Sequence, residues 1–193
     1  MASFEIDRQT IKDLDLFNEE GLSVFSFYNN AKTIGGRKQL ETWIQTPSFN
    51  IDILTSRRDS IRFFYDRNLS LDINKNDVDF IEHYLTSNLD PLKPNIFDAY
   101  VNGLKNEFNP DQYYYTITRG ITDAIKVLKI LAQFYNGVVW GENLPLPIQT
   151  NADTLAGFFA KESIQKVLLA DPKKQLGYVG TSYHDNLFRK TIT

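Results

Sequence analysis

Residues 121–135 read ITDAIKVLKILAQFY, and this stretch decides the fold. Ile121, Ile125, Leu128, Ala132 and Tyr135 recur at steps of three and four, the period that brings one face of an α-helix to a core. The Val/Ile/Thr alternation of a sheet is missing. Pro110 lies upstream of this helix, and the Gly/Pro-rich segment 137–147 follows it as a loop. Upstream of Pro110, Phe97, Tyr100, Val101, Leu104 and Phe108 repeat the same stripe. Downstream, Thr154–Leu169 reads as one helix carrying Leu155, Phe158, Phe159, Val167 and Leu168, ended by Asp171-Pro172.

The rest of the chain extends the pattern. Residues 22–30 present Leu22, Phe25 and Tyr28. Residues 34–46 present Ile34, Leu40, Trp43 and Ile44 ahead of Pro47, which stops the run. Trp43 is expected to be a largely buried anchor. Asn50 reads as the N-cap of a helix burying Ile51, Leu54, Ile61 and Phe64 or Tyr65, with Arg57, Arg58 and Arg62 nearer its polar side. Asp77 reads as the cap of a helix with Val78, Ile81, Tyr84 and Leu85 on one face. Phe4–Asp7 reads as a short strand or an extended lead-in and Gly177–Thr181 as a turn or a short strand, the two candidates for a short strand pair, and residues 184–193 begin a last helix. The expected fold is all-α, a multi-helix bundle or layered helices forming a single domain over 1–193.

Composition narrows the function. The 193 residues carry 21 basic and 24 acidic side chains, a formal net charge of -3, two His and no Cys. Disulfides, thiolate metal sites and a Cys nucleophile are excluded. The mild acidity argues against indiscriminate adhesion to nucleic acid or membrane. The first fifteen residues hold six charged side chains and no apolar signal core. The most apolar stretch, 125–140, is interrupted by Lys126, Lys129, Gln133, Asn136 and Gly137, so no membrane span is expected. A cytoplasmic protein is the expectation.

Chemistry-bearing motifs are sparse. Gly35-Gly36-Arg37-Lys38 has the composition of a phosphate cradle but not the spacing or the following hydroxyl. Ser182, His184 and Asp185 are triad residue types, but neighbours on one segment cannot converge as a triad does. No metal-ligand spacing occurs, and His83 reads as a surface residue. Tyr113-Tyr114-Tyr115 reads as a helix start rather than a base-stacking platform. Neither catalytic nor cofactor-binding residues are assigned.

The first third of the chain resembles the opening of the core, or lever, domain of the MutS family of DNA mismatch-repair ATPases. Asp13-Leu14-Asp15, Ser23-Val24-Phe25 and Tyr28-Asn29 stand where the family's first two elements belong. Thr33, Gly36, Lys38, Leu40, Trp43, Ile44 and Pro47 fall in register with its Thr-x-x-Gly…Trp…Pro element, and Arg57, Asp59 and Ile61 follow at its spacing. Ala31, Ile34, Lys38 and Ser48 depart from the pattern and mark a divergent branch. The resemblance covers residues 10–61. It implies a helical core domain that transmits conformational change between DNA-contacting parts and a C-terminal ATPase outside this chain, where ATP and Mg would bind and the parent would dimerise. No catalysis is expected of the chain itself. Thr33, Gly36, Lys38, Leu40, Trp43, Pro47, Arg57 and Asp59 would be structural, with Arg57 and Asp59 fixing neighbouring segments by charge-assisted hydrogen bonds. Arg37, Lys38, Lys173 and Lys174 are the weak candidates for DNA contact. The alternative is a helical protein-interaction scaffold unrelated to DNA.

Overall fold

The structure, a computed structural model, describes residues 7–18, 21–93, 112–138, 140, 144–171 and 176–192. Among them are nine α-helices and no strand. The helices are α1 (Arg8–Asp13), α2 (Val24–Tyr28), α3 (Ile34–Gln45), α4 (Ile51–Asp66), α5 (Lys75–Thr86), α6 (Gln112–Gly137), α7 (Leu146–Phe159), α8 (Glu162–Leu169) and α9 (Tyr178–Ile192). The fold is all-α. Two compact units divide the chain: unit 1 takes residues 1–70 and 143–149, and unit 2 takes 71–142 and 150–193.

Local chemistry sets the helix boundaries of unit 1. Asp7, Ser23, Thr33 and Asn50 cap α1 to α4 by accepting orphan amide protons; Asn50 takes those of Asp52 (2.8 Å) and Ile53 (3.4 Å). At the other end, α4 closes on Asn68, whose φ is 49°. Asn68 N–H reaches the Tyr65 carbonyl and Leu69 N–H reaches that of Phe64, each at 3.0 Å, the paired bonds of a Schellman stop. Asp15, with φ 47°, closes α1 in the same way.

The core of unit 1 is thin. Leu16, Phe25, Phe63 and Ile148 are its buried apolar side chains among the described residues. Trp43, expected to be buried, is 36% exposed. The larger correction concerns α4. Phe63 is turned inward, while Ile51, Leu54, Ile61 and both Phe64 and Tyr65, the residues expected to be buried, are exposed. Leu22 and Tyr28, expected on the apolar face of α2, are exposed as well.

Unit 2 is built on α6. Ile117, Ile121 and Ile125 have no exposed surface and pack with Tyr84, Leu92, Val167 and Phe188. The most extensive helix pair is α5 with α6, and Gly120 is the reason it is close. A Cβ at position 120 would lie 2.4 Å from Tyr84 Cγ, so the Tyr84 ring occupies the space a side chain would need.

Three boundaries differ from expectation. The cap of α5 is Asn74, which accepts from Asn76 N–H at 2.8 Å, and Asp77 lies buried inside the first turn. Thr154–Leu169 is two helices broken at Ala160–Lys161. Gly177–Thr181 is not a strand: the Thr181 N–H reaches the Gly177 carbonyl at 2.9 Å and α9 begins at Tyr178. The stripe 97–108 and the candidate strand at Phe4–Ile6 lie outside the described residues.

Gly120→Ala should destabilise the chain by about 1–3 kcal/mol, the cost of overpacking a filled core. Gly157→Ala, in an exposed turn of α7 with nothing within 4 Å of the new methyl, should stabilise it by about 0.5–1 kcal/mol. Urea unfolding of the two variants checks both signs, and a neutral Gly120→Ala would deny the close approach.

Candidate functional site

The family-like residues of unit 1 do architectural work. Thr33 Oγ1 accepts the Gly36 N–H at 3.1 Å and so caps α3. A Cβ on Gly36 would crowd that oxygen at 3.1 Å and the Ala31 methyl at 3.4 Å, whereas Gly35 has open space. The Thr-x-x-Gly spacing is thus a tight cap, in which any side chain at position 36 would press on the residue that caps it. Lys38 accepts the Thr42 hydroxyl proton on its carbonyl at 2.9 Å and leaves its side chain exposed. Leu40 and Pro47 are half-buried, with Pro47 directly after the C-cap Thr46.

Arg57 and Asp59 part company. The Arg57 guanidinium lies 4.8 Å from the centre of the Trp43 ring, joining α4 to α3 by a cation–π contact. Asp59 pairs with its neighbour Arg58 (Nη2 to Oδ1, 2.7 Å), not with another segment. Both partners are well exposed, so that pair contributes little. The expectation of segment-fixing hydrogen bonds holds for neither residue. Arg37 lies over Phe25 of α2 at 5.5 Å. Lys173 and Lys174 lie outside the described residues.

Sequence reasoning missed the most elaborate polar cluster, which is in unit 2. Asp185 of α9 has no exposed surface. Its Oδ1 accepts the Tyr84 hydroxyl proton at 2.5 Å and the Arg189 Nε proton at 2.9 Å. Its Oδ2 accepts the Leu92 N–H at 2.8 Å. The Leu92 carbonyl in turn accepts from Ser182 Oγ (2.8 Å) and Asn186 Nδ2 (3.1 Å). One carboxylate and the backbone N–H and carbonyl of one residue, Leu92, therefore tie α5, the 88–93 connection and α9 together. Tyr113 Oη adds α6 through the Asp90 carbonyl. Burial first, then the Asp185 carboxylate, pushes the Tyr84 hydroxyl well above the ordinary tyrosine range, so it stays a donor.

This clamp absorbs the triad residue types. Ser182 Oγ gives its proton to Leu92, and Asp185 is committed to Tyr84, Leu92 and Arg189. No hydrogen bond among the described residues joins His184 to either. Burial holds the His184 imidazole below its ordinary range, and its Nδ1 has no hydrogen-bond partner. The sequence signal was available: Ser182, Asp185 or Asn186, and Arg189 recur at helical spacing, a polar stripe on an inward face. A second cross-helix pair joins Lys126 Nζ of α6 to the buried Asp77 of α5 at 2.5 Å.

Among the described residues no three His, Asp or Glu side chains are grouped to hold a metal, and no helix is long and apolar enough to cross a membrane. Comparison with protein-family models, with curated proteins and with solved structures finds no match to this chain.

Removing Asp185 strands a half-buried guanidinium, a buried hydroxyl and a buried amide. Asp185→Ala should therefore cost about 2–4 kcal/mol, chiefly from leaving the buried Tyr84 hydroxyl and Leu92 amide without an acceptor. Tyr84→Phe, which deletes one donor, should cost about 1–3 kcal/mol. A double-mutant cycle by urea unfolding checks the coupling, and strict additivity of the two losses would show that the residues do not act as one clamp.

Proposed function

We propose that the chain is the helical core, lever-like domain of a MutS-like DNA-repair or recombination ATPase, and that it transmits conformational change rather than performing chemistry. The observation that carries this reading is the behaviour of the motif at 33–59. Its Thr33–Gly36 cap and its Arg57–Trp43 stack stiffen α3 and join it to α4. Residues that brace helices against each other suit a part that must move as a body. The buried clamp of unit 2 supports the same reading, because a satisfied buried network fixes one arrangement of helices.

On this reading the DNA grip and the ATP and Mg site belong to other parts of a longer parent, which dimerises through its ATPase. The competing reading, a helical interaction scaffold, is supported by the exposed apolar face of α4.

Coupling separates the two. In the complete parent, DNA should alter ATP affinity, and ATP should alter DNA affinity by the same factor. Arg57→Ala should leave each ligand bound while shrinking that factor. The chain alone should bind duplex, mismatched or branched DNA with a dissociation constant of about 10⁻⁴ M or weaker at physiological salt. A parent without DNA-responsive ATP hydrolysis, or micromolar salt-sensitive DNA binding by the chain alone, would reject the lever reading.

A further inference from the structure

Five helices of unit 2 meet around a cavity of about 110 Å³. Ala124 and Val127 of α6, Ile164 of α8 and Phe188 of α9 are buried and form its inner end. Ile81 of α5, Leu128 of α6 and Phe158 of α7 are half-buried along its sides, and Leu85, 39% exposed, stands at the mouth. Among the described residues the wall is wholly apolar. The cavity exists because Ala124, next to Ile125 on the most enclosed helix of the unit, is too short to fill the space between α5 and α8.

The chemistry of the wall selects the occupant. Protein interiors are close-packed, and side chains lining a void forfeit dispersion contacts on the empty side. Water is a poor filler, since a buried water needs two to four polar partners and this wall presents none. Apolar cavities of about 150 Å³ stay dry and accept benzene or xenon. A charged or hydroxylated molecule would surrender its hydration for nothing inside. A helix of another protein is too broad, because Leu85 is the one lining residue that is exposed.

We propose that this cavity is a binding site for a small neutral apolar molecule, a single aromatic ring or a branched alkyl group of about six heavy atoms. The inference stands apart from the lever reading, because the motif at 33–59 lies in unit 1 and the cavity in unit 2. An occupant would restore the missing contacts to all five helices and so stabilise unit 2 as a body.

The test uses the 193-residue chain with benzene and pyrazine as probes. The two match in size and shape, but pyrazine carries nitrogens at opposite ends of the ring, so one enters the cavity without a donor to meet it. Methyl NMR titration should show saturable benzene binding with a dissociation constant of about 1 mM or tighter. Nuclear Overhauser contacts should run from benzene to the methyl groups of Ile81, Val127, Leu128 and Ile164. Pyrazine should bind about tenfold or more weakly. Ala124→Leu, which fills the cavity from α6, should weaken benzene binding about tenfold or more and cancel the rise in melting temperature that benzene gives the unaltered chain. The benzene-to-methyl contacts in the unaltered chain decide the matter should Ala124→Leu fail to fold. No saturable binding, contacts to other methyl groups instead, equal binding of benzene and pyrazine, or undiminished binding by a folded Ala124→Leu overturns the proposal.

Discussion

The buried carboxylate of Asp185 is the constraint around which unit 2 is arranged. A charge with no exposed surface must be fully answered by hydrogen bonds or it unfolds its surroundings. Here the answers come from three places in the sequence: Tyr84, Leu92 and Arg189. Satisfying them sets the register of α9 against α5 and gives the 88–93 connection a defined path. Tyr84, whose hydroxyl reaches Asp185, fills the space that a side chain at Gly120 would need. Glycine at one position, a hydroxyl at a second and a carboxylate at a third thus form one dependency. The apolar packing of Ile117, Ile121 and Ile125 supplies the bulk of the stabilisation, and the clamp selects which packing is adopted.

Unit 1 is assembled on a different principle. Its helices are well begun and well ended, but few apolar side chains are enclosed. Its tertiary ties include guanidinium–ring contacts, Arg57 on Trp43 and Arg37 on Phe25, which tolerate solvent. Such a unit keeps its shape locally and leaves the apolar stripe of α4, Ile51, Leu54, Ile61 and Tyr65, exposed.

How much of this was legible in the sequence follows from what each signal encodes. Helix period, Pro47 and the Asn50 cap located both ends of α3 and the start of α4 almost to the residue, because those boundaries are local chemistry. The break at Ala160–Lys161 was hidden, since Lys161 begins α8 with no side-chain cap and no Pro or Gly marks the turn. Gly177 and Gly180 suggested a turn, yet the polar face of Thr181, Ser182 and Asp185 had an interior to enter and carried the helix back to Tyr178. For α4 the sequence revealed the apolar stripe but not the direction it faces. Direction depends on what lies nearby to cover it, and on α4 it is Phe63, on the other side of the helix, that is covered. Asp185 looked like a catalytic fragment because its partners Tyr84 and Leu92 are about a hundred residues away, beyond the reach of any local pattern.

The unequal footing of the two units is the central claim, and native-state hydrogen exchange measures it most directly. Amides of α6 around Ile117–Ile125 and of α9 around Asp185 should exchange only through global unfolding, at the full free energy read from urea denaturation. Amides of α3 and α4 should exchange through a smaller opening, at a distinctly lower free energy. If α4 proved as strongly protected as α6, the thin core assigned to unit 1 and the vacant face of α4 would both be contradicted.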